Sequence, residues 1–159
     1  MTRFCAALAL WLALAAAAAP ALAQRPVCQG QTLYVPVVSY LYLGKKGAPY
    51  PLAMTLQVRN TDASRSIELT GASYYDGSGR LVRNYLVDPV QLAPRASLAL
   101  PLAQPEPSSP GEGPPSVVVT WSAGQPASAP VAQCVHVGSA GQQGISFVTN
   151  GRVLSQPRP

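Results

Sequence analysis

From Leu52 to Thr61 the chain reads LAMTLQVRNT, with Leu52, Met54, Leu56 and Val58 at alternate positions and Thr55, Gln57 and Arg59 opposite them. A period of two sends the two sets to opposite faces of a pleated strand. Comparable runs recur. SIELTGASYYD follows the polar turn DASR, and GSGRLVRNYL follows Gly77-Ser78-Gly79. LAPRASLALPL is a turn and then a strand with Leu98, Leu100 and Leu102 on one face, and SVVVTWSA (116–123) is the most strand-like run of all. TLYVPVVSYLYLG (32–44) is rich in Val and Tyr, but Pro36 has no amide hydrogen for a ladder, so this strand is expected to lie at an edge or to break there. PVAQCVHVGS and GISFVTNGRVL complete the series. In AQCVHV, Val135 and Val137 are assigned to the core, which turns Cys134 and His136 outward.

No segment keeps a helical period. About eight short strands at roughly ten-residue spacing predict an all-β, antiparallel β-sandwich of immunoglobulin-like or fibronectin type, with a small β-barrel as the alternative. The Pro/Gly/Ser loop PEPSSPGEGPP (105–115) is too short to divide the chain into two domains. GSAGQQGISFVTNGRV (138–153) spaces Gly138, Gly141 and Gly144 by three. A phosphate-cradling loop sets its glycines between a strand and a helix N-terminus, and no helix follows here. Ile145 and Phe147 share one face, and Asn150-Gly151 is the signal of a type I′ turn. The stretch is therefore expected to be a flexible connection feeding a last β-hairpin, with Arg152 beside its turn.

The ends change the picture. MTRFCAALALWLALAAAAAPALAQ places one cation, Arg3, before an apolar run that closes on Ala21-Leu22-Ala23. These are the parts a signal peptidase reads, and cleavage is expected after Ala23 rather than retention as a membrane anchor. Cys28 follows RPV, which is no lipidation signal. The domain plan is a leader at 1–23, one sandwich at 24–154 and a loose tail at 155–159. The location is periplasmic or secreted in a bacterium, with no transmembrane segment after processing. The processed chain keeps ten Lys and Arg against six acids, net +4, scattered rather than gathered in the stripe that nucleic acid requires. Cys5 leaves with the leader, and the remaining pair in an oxidising compartment is read as a disulfide, Cys28–Cys134.

Catalytic chemistry is thinly represented. His136 is the single histidine, without a nucleophile elbow or an acid near it in sequence. Among the acids Asp62, Glu68, Asp76, Asp88, Glu106 and Glu112, only Glu68 lies within a strand, on the face expected to meet solvent. That argues against the paired carboxylates of a glycosidase. One His, Met54 on an apolar strand face and two paired cysteines make no metal site, so no cofactor is expected. Tyrosines are numerous, and Tyr74 and Tyr75, as strand neighbours, point to opposite faces. Tyr74 or Tyr75 with Arg83 and Arg152 is the candidate surface for a sugar, peptide or polymer, against ordinary cross-strand packing.

Three blocks in order, GQTLYVPVVSYLYLGKKGAPYPLAMTLQVRNTD, YYDGSGRLVRNYL and GQQGISFVTNGRV, resemble the bacterial family named only as domain of unknown function 3124. The resemblance runs from about Gly30 to Val153. It implies an exported domain and supplies no catalytic residues. Many relatives resemble lipoproteins, whereas this chain lacks that signal. The resulting expectation is a non-catalytic exported β-sandwich module that binds a protein or polymer partner in the envelope. The alternatives are a structural or chaperone-like assembly factor that augments a client's strand at an open edge, and a hydrolase.

Overall fold

The computed structural model describes residues 27–43, 48–103, 113–140 and 143–156. The leader assigned to 1–23 and most of the Pro/Gly/Ser loop lie outside these. Twelve strands follow in order: β1 (Val27–Pro36), β2 (Tyr40–Leu43), β3 (Ala48–Pro51), β4 (Ala53–Arg59), β5 (Ile67–Tyr75), β6 (Leu81–Asn84), β7 (Val90–Leu92), β8 (Ser97–Leu102), β9 (Ser116–Ser128), β10 (Val131–Ala140), β11 (Gln143–Asn150) and β12 (Arg152–Ser155). Among the described residues there is no helix. The strands form a six-stranded sheet in the order β12-β1-β9-β5-β6 with β7 also on β5, a four-stranded sheet β11-β10-β4-β8, and a β2–β3 hairpin. Every pairing is antiparallel, and neither large sheet closes on itself, so the fold is a β-sandwich and not a barrel.

Strict alternation builds the core. Met54, Leu56 and Val58 of β4 are buried between outward Thr55, Gln57 and Arg59. Facing them from the six-stranded sheet are Leu33 and Val35 of β1, Leu69, Ala72 and Tyr74 of β5, and Val117, Val119 and Trp121 of β9. Pro36 ends β1, as its missing amide hydrogen demands. The strand is nevertheless interior: β9 pairs along one side of it and β12 covers Thr32 to Tyr34 on the other.

Two expectations fail for identifiable reasons. In β10 the phase is inverted. Ala132, Cys134 and His136 are buried, while Val131 and Val137 are about half exposed. Both rows of this strand contain apolar residues, so hydrophobicity alone does not choose between them. Small residues pack inward here, and the imidazole's polarity is used at once: His136 Nε2 accepts the Val38 amide at 3.0 Å, and its ring stacks on Phe147 at 4.6 Å between centroids. The second failure is the Asn150-Gly151 hairpin. β11 pairs with β10, but β12 pairs with β1 in the opposite sheet, and neither Asn150 nor Gly151 has positive φ. The chain crosses between the sheets at Gly151. Its amide donates to Ala132 O at 2.8 Å, and a Cβ there would stand 2.9 Å from that oxygen and 3.3 Å from Val35 Cγ2. Glycine is required by close approach and not by turn geometry. Order also runs past the boundary expected for the tail, since Ser155 pairs with Thr32 and Gln156 contacts Gln31.

The loops at one end are tied by the Asn60-Thr61-Asp62 segment. Asn60 Nδ2 donates to the carbonyls of Arg65, Leu92 and Ala93 at 2.8–3.1 Å, and Asn60 Oδ1 accepts the Asp62 amide at 2.9 Å. Asp62 Oδ1 accepts the amides of Ser64 and Arg65, and its Oδ2 accepts that of Ser128 at 2.8 Å. Thr61 Oγ1 donates to Ala129 O. Three connections (β4–β5, β7–β8 and β9–β10) thus meet at one buried polar knot.

Candidate binding surface

The tyrosine–arginine group expected to form one surface is not assembled as such. Tyr74 is only 2% exposed and faces the core, because β5 alternates inward at Ala72 and Tyr74. Burial pushes its hydroxyl far above the ordinary phenol range. Tyr75 points to the other side and is half-buried. Arg83 on β6 is exposed, its guanidinium 5.9 Å from the centre of the Tyr85 ring. Arg152 lies on β12, at the opposite edge of the six-stranded sheet from Arg83.

The other reactive groups are engaged internally. Cys28 and Cys134 are separate thiols with no bond between them, both buried in the core rather than bridging over an outer face. Burial pushes the Cys134 thiol up to about 11. Burial also holds His136 below the usual imidazole value. Backbone amides from Ser128, Ser64 and Arg65 hold Asp62 far below the carboxylate range. Asp76 is lowered to about 2 by the Ser78 hydroxyl and the Arg80 amide, and it pairs with Arg80 Nε at 3.0 Å. Among the described residues no cluster of His, Cys, Asp or Glu is arranged to hold a metal ion.

The inversion of β10 creates the more informative surface. On the outer face of the four-stranded sheet, register brings Val137 between Ala53 and Ser146, and Val135 between Thr55 and Val148. Gln133 lies between Gln57 and Asn150, and its Nε2 donates to Gln57 Oε1 at 3.2 Å. Pro101 and Ala99 of β8 extend these rows beside Thr55 and Gln57. Val131, Val137 and Val148 are 46%, 50% and 46% exposed, and Arg59 is the one charge on the grid. A shallow cavity of about 230 Å³ opens at the Arg59 end, among Gln57, Ser97, Ala99, Val131 and Gln133. The outer face of the six-stranded sheet contrasts with it: Thr32, Tyr34, Glu68, Thr70, Ser73 and Thr120 stand there, and the Thr70 and Thr120 hydroxyls bond each other at 3.0 Å.

The family profile described as "Protein of unknown function (DUF3124)" matches residues 30–154, from within β1 to within the edge strand β12. The chain belongs to that family. No curated protein matches the chain. Among solved structures, a crystal structure of Thermotoga maritima 1070 is similar to this DUF3124 chain, with TM-score 0.45 and 17% identity, covering 80% of this chain and 97% of that one. Among the described residues of the DUF3124 domain, no helix is long and apolar enough to cross a membrane.

Sequence reasoning overlooked this outer face of the DUF3124 domain because it assigned Val135 and Val137 to the core. The available signal was the small residues Ala132 and Gly138 in the opposite row, which suit the crowded side of a strand.

Proposed function

We propose that the chain is an exported, non-catalytic β-sandwich module that binds a partner in the bacterial envelope, and that a protein partner docks on the outer face of the four-stranded sheet. The observation that carries this reading is the nearly uncharged grid around Val131, Val135, Val137 and Val148, with three of its valines about half exposed. Half-exposed valines grouped on a sheet face with a single charge fit an association surface, since depletion of charge is what distinguishes the centre of such surfaces. Export is supported by the Arg3 to Ala23 leader pattern. A non-catalytic role is supported by the engagement of His136, Asp62 and Asp76 in structural bonds.

The test is site-specific photo-crosslinking in the producing cell, with a photoreactive residue at Val137 or Val148 and a control at Thr120. Discrete protein adducts are expected from the two valine positions and not from the control. Equal labelling at all three, or none at any, removes the reading. Protein recovered from the same cells is expected to begin at Gln24, checked by N-terminal sequencing.

Strand augmentation has less support. The first strand, where an open edge was expected, is covered by β12 across Thr32 to Tyr34. The exposed β12 edge offers four residues.

A further inference from the structure

Three arginines meet at the loop end of the sandwich that Asn60 and Asp62 tie together. Arg59 precedes Asn60, whose amide donates to Ala96 O at 2.9 Å and whose Nδ2 donates to Arg65 O at 2.8 Å. The Arg95 amide donates to Asp62 O at 3.2 Å. All three side chains are exposed, and none forms an ion pair among the described residues. The acid placed among them is already used. Asp62 is buried, and the backbone amides of Ser64, Arg65 and Ser128 occupy its two carboxylate oxygens. Glu68 stands on the outer face of the opposite sheet, and Asp76 pairs with Arg80 beyond the far end of β5. The polar knot thus gathers cations that the sequence scatters, and supplies no anion to them.

Arg59 joins this cluster to the valine face. It ends the outward row of β4 and lines the cavity of about 230 Å³ together with Gln57, Ser97, Ala99 and Val131. Gln57 Oε1 is taken by Gln133 Nε2, so the Gln57 amide group stays free to donate at the cavity that Arg59 lines. We infer that the protein partner of this face is acidic where it meets Arg59: a segment carrying aspartate or glutamate among aliphatic residues, with the aliphatic side chains on the valine rows and a carboxylate on the Arg59 guanidinium. A guanidinium takes a carboxylate through two parallel N–H···O bonds. Val131 and Ala99 beside it suit the hydrocarbon stem that carries such a carboxylate. Complementary charge at the rim of an uncharged centre fixes register and speeds encounter. A polyanion without apolar groups would leave the valine rows uncovered, so an acidic protein segment is the better match. The inference rests on the docking reading above and adds the partner's chemistry to it.

The test adds charge variants to the full chain carrying the photoreactive residue at Val148. That position pairs with Val135, which pairs with Thr55, four residues from Arg59. Arg59→Glu is expected to lower the yield of the protein adduct about tenfold or more. Arg59→Lys, which keeps the charge, is expected to lower it severalfold at most. Arg152→Glu makes the same change in net charge on the other sheet and is expected to leave the yield unchanged. Both arginines are exposed, and circular dichroism of the purified variants verifies that they fold. Mass spectrometry of the adduct is expected to find an aspartate or glutamate within a few residues of the attachment point. Absence of adducts from the chain with Arg59 intact overturns the docking reading and this inference with it. Discrete adducts that Arg59→Glu leaves intact overturn this inference alone. So does an equal loss with Arg59→Lys or Arg152→Glu, or an attached segment without an acid.

Discussion

Asn60 and Asp62 lock the loop end of the sandwich through bonds that no apolar residue can replace. Asn60→Ala orphans the carbonyls of Leu92 and Ala93 among others, and is expected to cost about 3 kcal/mol in urea unfolding, more than most surface changes. The ionisable groups add a pH signature. His136 is held below its ordinary value, so the folded state binds fewer protons than the unfolded chain, and stability falls as pH drops below about 6.5. Asp62 and Asp76 are also lowered, so their contribution is present above about pH 4 and is lost below it. Thermal melts from pH 8 to pH 2 are therefore expected to decline in two stages, with His136→Gln removing the first and Asp62→Asn weakening the second. The cysteines give a separate outcome. Neither Cys28 nor Cys134 is expected to react with iodoacetamide in the native protein, and both should react in urea without reductant, as read by peptide mass spectrometry. Thiols that stay blocked until reductant is added would restore the cystine that their compartment and number suggest.

At the scale of elements, the strands were legible wherever one row was apolar and the other polar, as in β4, β5 and β8. The phase of β10 was illegible because valine occurs in its outer row while the inner row holds a cysteine, a histidine and alanine. The three-residue strand β7 (Val90–Leu92) carries too few alternations to register. The crossing at Gly151 was misread because Asn-Gly is a local signal, and the requirement it meets is set by Ala132 and Val35, far away in sequence. Gly151→Ala is expected to destabilise by about 1–3 kcal/mol, since the added methyl has backbone and a packed valine against it. Gly144→Ala, where nothing lies within 4 Å of a new Cβ, is expected to be neutral or slightly stabilising. Chemical denaturation of the two variants side by side checks the contrast.

For the molecule as a whole, sandwich class and antiparallel pairing follow from strand spacing and the absence of a helical period, properties that every segment reports independently. What joins the two sheets does not follow in that way. The candidate surface depends on which strand stands beside which, and the tyrosine–arginine group dissolved once Arg83 and Arg152 fell at opposite edges of one sheet. The same topology bears on timing. The outer side of β1, nearly the first described segment, is covered by β12, nearly the last, and pairings across so long a loop form slowly. Until residues 152–155 are available to the folding chain, Leu33 therefore lacks its Val153 neighbour and that edge of the six-stranded sheet stays unpaired.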